Sequence, residues 1–184
     1  MIMIMSELVF QAFAALSEGE ARLSVGQRLF RRDDPVRHAY LLRSGRIDLV
    51  RYHGNGKELT LHRAGERTVL AEASLYAERY HCDALCVDDA ALLVVPRAKI
   101  VDRLAADEEL ARSWAAYLAH ALQGARHRSE LLTRKTVAER LDDWLDWNGG
   151  NMPPKGRWKA LAAELGVTPE ALYRTLAQRT RDGV

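Results

Sequence analysis

The sequence lacks a long apolar run and has only two cysteines, and both absences exclude classes of protein. No stretch approaches the roughly 20 apolar residues that cross a bilayer, so we expect no membrane partner. Cys82 and Cys86 would lie about 13 Å apart in a strand, which is too far for a disulfide. The apolar residues 1–5 are too few for a secretion signal, are soon followed by Glu7, and lack the basic start and the small-residue cleavage site of such a signal. We therefore expect a cytoplasmic protein.

Motifs for catalysis and metal binding are also missing. The sequence contains no serine-centred elbow, no phosphate loop and no HExxH helix. The histidines of the first half do not have the spacing that a cupin metal site needs; they are His38, His53, His62 and His81. We expect no enzyme activity, no catalytic residues and no metal ligands.

The net charge of the 184 residues is only +2, so the overall charge does not indicate a nucleic-acid partner. The distribution of the charge is more informative, because residues 126–184 hold 11 Lys and Arg against 8 Asp and Glu. Charged residues make up 28% and apolar residues 48% of the chain, which is typical of globular domains. The mildly basic C-terminal part favours an anionic partner there.

Short apolar runs bounded by turn residues fill residues 22–95, after an amphipathic helix predicted at 7–18. The runs cover residues 29–30, 40–42, 47–50, 59–61 and 92–95. Ser44-Gly45 and Asn55-Gly56 separate neighbouring runs, and Asn-Gly is a strong hairpin signal because both residues tolerate positive φ. Such spacing predicts an α+β fold whose N-terminal domain, residues 1–106, is an antiparallel β-roll (a double-stranded β-helix).

A long helix is predicted at 108–134, with Asp107 as its N-cap, after a short helix at 97–104. Its apolar residues recur at spacings of three and four, and a long helix with such a seam usually pairs with a second copy. We expect residues 107–134 to form a dimerisation helix. Its seam residues are Leu110, Trp114, Tyr117, Leu118, Ala121 and Ala125. The alternative is that the stripe packs only on its own roll.

Residues 135–184 have the pattern of a helical domain with a helix-turn-helix. After a helix predicted at 133–147, two short helices are predicted at 157–165 and 169–178, and Gly166 permits the left-handed turn between them. Thr168 is suited to cap the second helix, and Pro169 costs no backbone donor at its first position. Leu172 and Leu176 anchor that helix inward.

The outward face of the second helix would present Glu170, Tyr173 and Arg174. A recognition helix in the DNA major groove needs this arrangement, with a fixed back face and polar side chains on its early turns. A generic helical hairpin with a solvated charged face is the alternative interpretation.

A β-roll, a long helix and a helix-turn-helix together resemble the Crp/Fnr superfamily of transcription regulators, and the resemblance covers nearly the whole chain. Segments 23–30, 40–47 and 71–76 are similar to the family as well. The resemblance implies that the roll binds an effector, that the long helix pairs two subunits and that the second helix of the motif reads double-stranded DNA. It also implies RNA polymerase as a partner.

At the DNA-binding end, the resemblance assigns base reading to Glu170 and Arg174. Arginine can donate two hydrogen bonds to guanine, and glutamate can accept one from cytosine, so we expect a TGA-like half-site in an inverted repeat. Lys159 and Thr168 would contact phosphates. Two positions depart from the family pattern: Pro169 stands where some members carry a base-reading arginine, and Tyr173 would touch a thymine methyl group or a sugar. The family's β-hairpin wing is predicted to be missing or truncated.

At the effector end, the resemblance is poor. Glu72 matches the ribose-binding carboxylate of cyclic-nucleotide-binding members, but Cys82-Asp83 stands where their phosphate-binding Arg-Ser pair would be. Asp83 would repel a phosphate unless Arg79 substitutes for the missing cation. We therefore expect an effector other than cyclic AMP. The alternatives are a haem, metal or redox sensor of the same fold, or a dimeric interaction protein with a degenerate DNA-binding motif.

Overall fold

The computed structural model describes residues 2–52, 54 and 58–182, and they form two compact units, Met1–Ala119 and His120–Val184. The helices are α1 (Ile2–Ala14), α2 (Arg97–Ala106), α3 (Glu108–Thr133), α4 (Val137–Trp147), α5 (Trp158–Glu164) and α6 (Pro169–Asp182). The strands are β1 (Gly19–Leu23), β2 (Arg28–Phe30), β3 (His38–Tyr52), β4 (Glu58–Ala64), β5 (Thr68–Leu70) and β6 (Asp83–Pro96). Within this described part, no helix is both long and apolar enough to span a membrane.

The N-terminal unit is built on one antiparallel sheet in the order β1-β6-β3-β4, so the predicted α+β fold with an antiparallel roll is confirmed. The short strands β2 and β5 pair with β6 and β3 respectively. Pairing of β3 with β4 agrees with the predicted hairpin, although Asn55-Gly56 lies outside the described residues. Side chains inside the roll form one apolar cluster, and α1, α2 and the start of α3 cover a second cluster on the outer face.

The predicted turn at Ser44-Gly45 is wrong, because β3 runs through it as a single strand. Gly45 has φ +87°, and a Cβ on it would lie 2.2 Å from the carbonyl oxygen of Asp89 on β6. The register between β3 and β6 shifts at this point. Gly45 therefore allows a bulge and a close approach of two backbones rather than a reversal of the chain.

The C-terminal unit is helical and has a separate apolar core, in which α4, α5, α6 and the end of α3 meet. Thr136 begins α4 with a capping box, since its hydroxyl accepts from the Glu139 N–H while the Glu139 carboxylate accepts from the Thr136 N–H. The predicted division at residues 106 and 134 stays a prediction. The described chain ends in α6, and the wing also stays a prediction.

Candidate nucleic-acid interface

The turn of the helix-turn-helix is locked by its own backbone. Gly166 has φ +67°, its N–H donates to the Ala163 carbonyl at 3.2 Å, and the N–H of Val167 donates to the Ala162 carbonyl at 2.9 Å. This pair of bonds is the Schellman arrangement, which satisfies carbonyls that a helix end leaves free. The turn therefore ends α5 sharply and directs the chain into α6.

The back of α6 is fixed by burial. Leu172 is fully buried in one cluster with Leu161 and Leu165, and Leu176 packs against it. At the start of the helix, the hydroxyl of Thr168 accepts a hydrogen bond from the Ala171 N–H at 3.3 Å. The predicted cap and inward face are present, so the orientation of α6 on α5 is determined by packing.

The front of α6 carries the predicted recognition residues. Glu170, Tyr173 and Arg174 are exposed, as are Lys159 and Thr168. Pro169 is half-buried at the first helical position. The structure thus brings the residues predicted to read bases together at one surface, on the first two turns of α6.

The carboxylate of Glu170 is held in place in the free protein. Its own backbone N–H and the hydroxyl of Thr168 donate to it, and the cation of Lys159 lies nearby, so the pKa of Glu170 falls below its ordinary value. A carboxylate that stays ionised is an acceptor only, which is the form that cytosine N4 requires.

Two residues of this surface were not predicted, Lys155 and Trp158. The ring of Trp158 lies 5.9 Å from that of Tyr173, and the ammonium of Lys155 lies 5.8 Å above the Trp158 ring. The Trp158 indole N–H donates to the Pro153 carbonyl at 3.0 Å, which fixes the ring. The only sequence signal for the pair was a lysine three residues before an aromatic residue at the start of α5.

Of the predicted effector residues, Glu72 and Asp83 both lie within electrostatic range of Cys82. The Arg79 guanidinium donates to the Asp33 carbonyl at 2.6 Å. Asp83 pairs with Arg28 at 3.2 Å and accepts the N–H of Arg32 at 2.8 Å. The partners of Arg79 and Asp83 thus belong to the roll itself, and their role as effector contacts stays a prediction.

Glu72 and Cys82 do lie close together. Burial raises the pKa of Cys82 to about 11, the Arg51 cation opposes this, and the carboxylates of Asp83 and Glu72 add to it. Burial also raises the pKa of Tyr117, to about 12, and the Glu72 carboxylate contributes. The sequence did not indicate Arg51 and indicated Tyr117 only as a seam residue, because folding is what places Arg51 near Cys82 and Tyr117 near Glu72.

His81 and Cys82 immediately precede β6. His81 is exposed and Cys82 is 1% exposed, so the two side chains lie in different surroundings. The Nδ1 of His81 lies 3.1 Å from the Ser74 hydroxyl, and the His81 carbonyl accepts from Arg51 at 3.0 Å.

Replacing Glu72 with glutamine should stabilise the protein at about pH 7. Burial raises the pKa of the Glu72 carboxyl above its ordinary 4.5, so the folded state binds the carboxyl proton more tightly than the unfolded chain does. The stability that this proton contributes is present in full below pH 4.5 and is lost as the pH rises through the raised pKa of the folded state. Thermal unfolding of Glu72→Gln and wild type from about pH 4 to 7 measures the difference in stability between them, which should grow with pH.

Glu78→Gln, at an exposed position, is the control for Glu72→Gln. A wild type that gains stability over the variant with rising pH contradicts the prediction.

Part of the predicted dimer seam serves the protein's own core. Leu110 and Trp114 are each 3% exposed in the outer-face cluster, where Trp114 packs 5.2 Å from the ring of Phe13. The assignment of these two residues to a dimer interface is therefore corrected. Tyr117 stacks on Trp114 with ring centroids 5.3 Å apart.

The other seam residues are accessible. Leu118 is half-buried, and Ala121 and Ala125 are exposed. Leu118 also lines an apolar depression of about 420 Å³ in the N-terminal unit. Its remaining lining residues are Tyr76, Val101, Leu104, Ala105, Ala111, Trp114 and Ala115.

An antiparallel β-roll followed by a long helix and a helix-turn-helix defines the class of Crp-like regulators, and comparison with known proteins agrees. Residues 20–107 match the family model of the cyclic nucleotide-binding domain. The chain is 31% identical over 176 residues to the cyclic AMP receptor protein of Thermus thermophilus, and the match covers 92% of this chain and 81% of that protein. The chain belongs to the Crp/Fnr family of transcription regulators.

Solved structures share the fold. FixK2 from Bradyrhizobium japonicum has a TM-score of 0.71 at 21% identity, covering 90% of this chain and 86% of FixK2. CLP from Xanthomonas campestris, a regulator described as c-di-GMP responsive, has a TM-score of 0.66 at 18% identity and covers 96% and 93% of the two chains.

Proposed function

We propose that this protein is a sequence-specific DNA-binding transcription regulator that acts as a homodimer on an inverted repeat. The observation that carries the proposal is the front of α6, where Glu170, Tyr173 and Arg174 are exposed on a helix whose back is anchored by the fully buried Leu172. Such a helix enters the major groove without rearrangement of its own domain.

Each exposed side chain has a role in this proposal. Arg174 donates two hydrogen bonds to guanine O6 and N7, and Glu170 accepts one from cytosine N4, which together favour a TGA-like half-site. Tyr173 touches a thymine methyl group or a sugar, and its contact with Trp158 restricts where the ring can go. Lys159 and Thr168 contact phosphates, which position the helix without specifying sequence.

The second copy would pair along α3, where Leu118, Ala121 and Ala125 are accessible and Leu122 is 51% exposed. A row of accessible apolar and small side chains along a long helix is typical of an interface. Two recognition helices related by a twofold axis then face successive major grooves about 34 Å apart.

Replacing Leu122 with glutamate should raise the dissociation constant of the dimer about 100-fold, because a carboxylate buried between helices loses its hydration and gains no ionic partner. Sedimentation velocity over a range of concentrations measures the change. Gln123→Glu is the matched control, since it adds the same charge at the next residue of the same helix. Equal dimer stability in the two variants would place the interface elsewhere.

The effector is proposed to differ from cyclic AMP, because Asp83 and Cys82 stand where the phosphate would need a cation. Asp83 is already paired with Arg28, and Cys82 is buried. A change in the roll would shift the population of the dimer between states that differ in DNA affinity. RNA polymerase remains the proposed protein partner.

Selection from a pool of randomised duplexes tests the proposal. We expect the purified protein to enrich an inverted repeat, and we expect its affinity for that selected duplex to fall steeply with salt as phosphate contacts release counterions. Enrichment of no sequence, together with weak binding of all duplexes, would favour the interaction-protein alternative.

A further inference from the structure

The guanidinium of Arg140 joins two helix ends in the C-terminal unit. Its Nε donates to the Arg134 carbonyl at 3.0 Å and its Nη2 to the Leu132 carbonyl at 3.4 Å, at the end of α3. Its Nη1 donates to the Leu165 carbonyl at 2.9 Å and lies 3.5 Å from that of Gly166, in the turn of the helix-turn-helix. One side chain therefore binds backbone carbonyls on both sides of the gap between α3 and the turn.

These acceptors suit an arginine. The last carbonyls of a helix have no partner within it and carry partial negative charge, so a cation near them is favourable. The guanidinium is planar and holds its N–H groups in a fixed fork, whereas a lysine ammonium is a single point charge on a flexible stem. The geometry of Arg140 thus fixes the distance and the direction between the two helix ends.

A second contact joins the same two elements. A Cβ on Gly166 would lie 2.6 Å from Cδ2 of Leu132, so the Leu132 side chain rests directly on the turn. A side chain at Gly166 would have to displace that of Leu132, and it would also be strained by the φ of +67°.

The base of Arg140 is also held. It lies on α4, whose first turn has the capping box of Thr136 and Glu139, and the next residue, Leu141, is fully buried. The backbone from which the guanidinium reaches out is therefore anchored in the core of the unit.

We propose that Arg140 is the positioning residue that ties the orientation of α6 to the last turn of α3, and that it thereby sets which half-site spacing a dimer accepts. This inference rests on the proposed function, in which α3 pairs the subunits and α6 reads DNA. If each recognition helix follows its own α3 rigidly, only one separation of half-sites fits both helices. A loosened connection would let each helix find its half-site independently.

The test compares wild type with Arg140→Gln on selected duplexes whose central spacer is lengthened or shortened one base pair at a time. Wild-type affinity should fall about tenfold or more when two base pairs are added, whereas the variant should lose less than about threefold. Affinity for an isolated half-site should be equal in the two proteins, because the bases are read by α6 itself. Arg112→Gln is the matched control, since it removes a guanidinium from an exposed pair on α3.

Leu132→Ala provides a second variant in case Arg140→Gln fails to fold. It removes the side chain that rests on Gly166 but leaves the Arg140 hydrogen bonds in place, so it should broaden the spacing profile to a smaller extent. A folded Arg140→Gln with the wild-type profile overturns the proposal. So does a loss of affinity that is equal at every spacing, since that is the sign of a structural role only.

A measurement without DNA separates this proposal from the proposed function. Spin labels on cysteines introduced at Gln123 of α3 and Gln178 of α6, in protein diluted with unlabelled chains, report the distance between the two helices within one subunit. Arg140→Gln should widen that distance distribution about twofold. An unchanged width overturns the positioning role, whereas a wild type that binds no duplex refutes only the proposed function.

Discussion

Replacing Arg174 with alanine is expected to lower the affinity for the selected duplex by about 5- to 150-fold, or about 1–3 kcal/mol. Arg174 is exposed on the second turn of α6, and truncation leaves two acceptors of a guanine without donors. The loss should be accompanied by relaxed preference at one base pair of each half-site. Titrations against the selected duplex and its single-base variants measure both effects.

Arg181→Ala is the matched control for Arg174→Ala, because it makes the same chemical change on the same helix. Arg181 is exposed on the last turn of α6, away from the residues proposed to read bases. It should weaken binding slightly and by the same factor for every sequence, as a phosphate contact does. If Arg174→Ala behaves in this way too, Arg174 is not a base-reading residue.

Replacing Leu172 with alanine should destabilise the C-terminal unit by about 2–5 kcal/mol. Leu172 is fully buried between α5 and α6, so truncation leaves a cavity and loosens the back of the recognition helix. Three of the four tryptophans, Trp144, Trp147 and Trp158, belong to this unit, so denaturant unfolding followed by tryptophan fluorescence reports mainly on it.

Leu8→Ala is the control for Leu172→Ala. Leu8 is 41% exposed on α1, so the same truncation there should change stability by about 0.5 kcal/mol or less. An unfolding midpoint for Leu172→Ala that matches the control would show that α6 is not packed as described.

Helix positions could be predicted well where the signals are local. Asp107 marks the start of α3, and its side chain does accept the Leu110 N–H at 3.0 Å. The end of α6 was predicted four residues early, at Gln178. The reason is tertiary: Arg179 binds Asp142 and the Ala138 carbonyl of α4, and sequence spacing cannot show this contact.

Strands were harder to predict because pairing decides them. β5 has only three residues, and β6 begins at Asp83, nine residues before Leu92, where the run predicted as a strand begins. Both strands are stabilised by β3, which lies beside each of them. Period-two patterns could not reveal such partners.

The residues of the candidate interface also fall into those that the sequence could predict and those that it could not. Glu170, Tyr173 and Arg174 could be predicted because helical spacing alone places them on one face. Arg140 and Trp158 could not, since their roles depend on carbonyls and rings that only the folded C-terminal unit brings near.

The buried thiol of Cys82 has a consequence for how this regulator meets oxidants. Burial raises the pKa of this thiol to about 11, so very little thiolate forms at neutral pH. Peroxides and alkylating reagents attack the thiolate, so this sulfur is nearly inert while the roll stays closed. A redox signal would first have to open the roll, so the rate at which iodoacetamide alkylates Cys82 reports how often the roll opens.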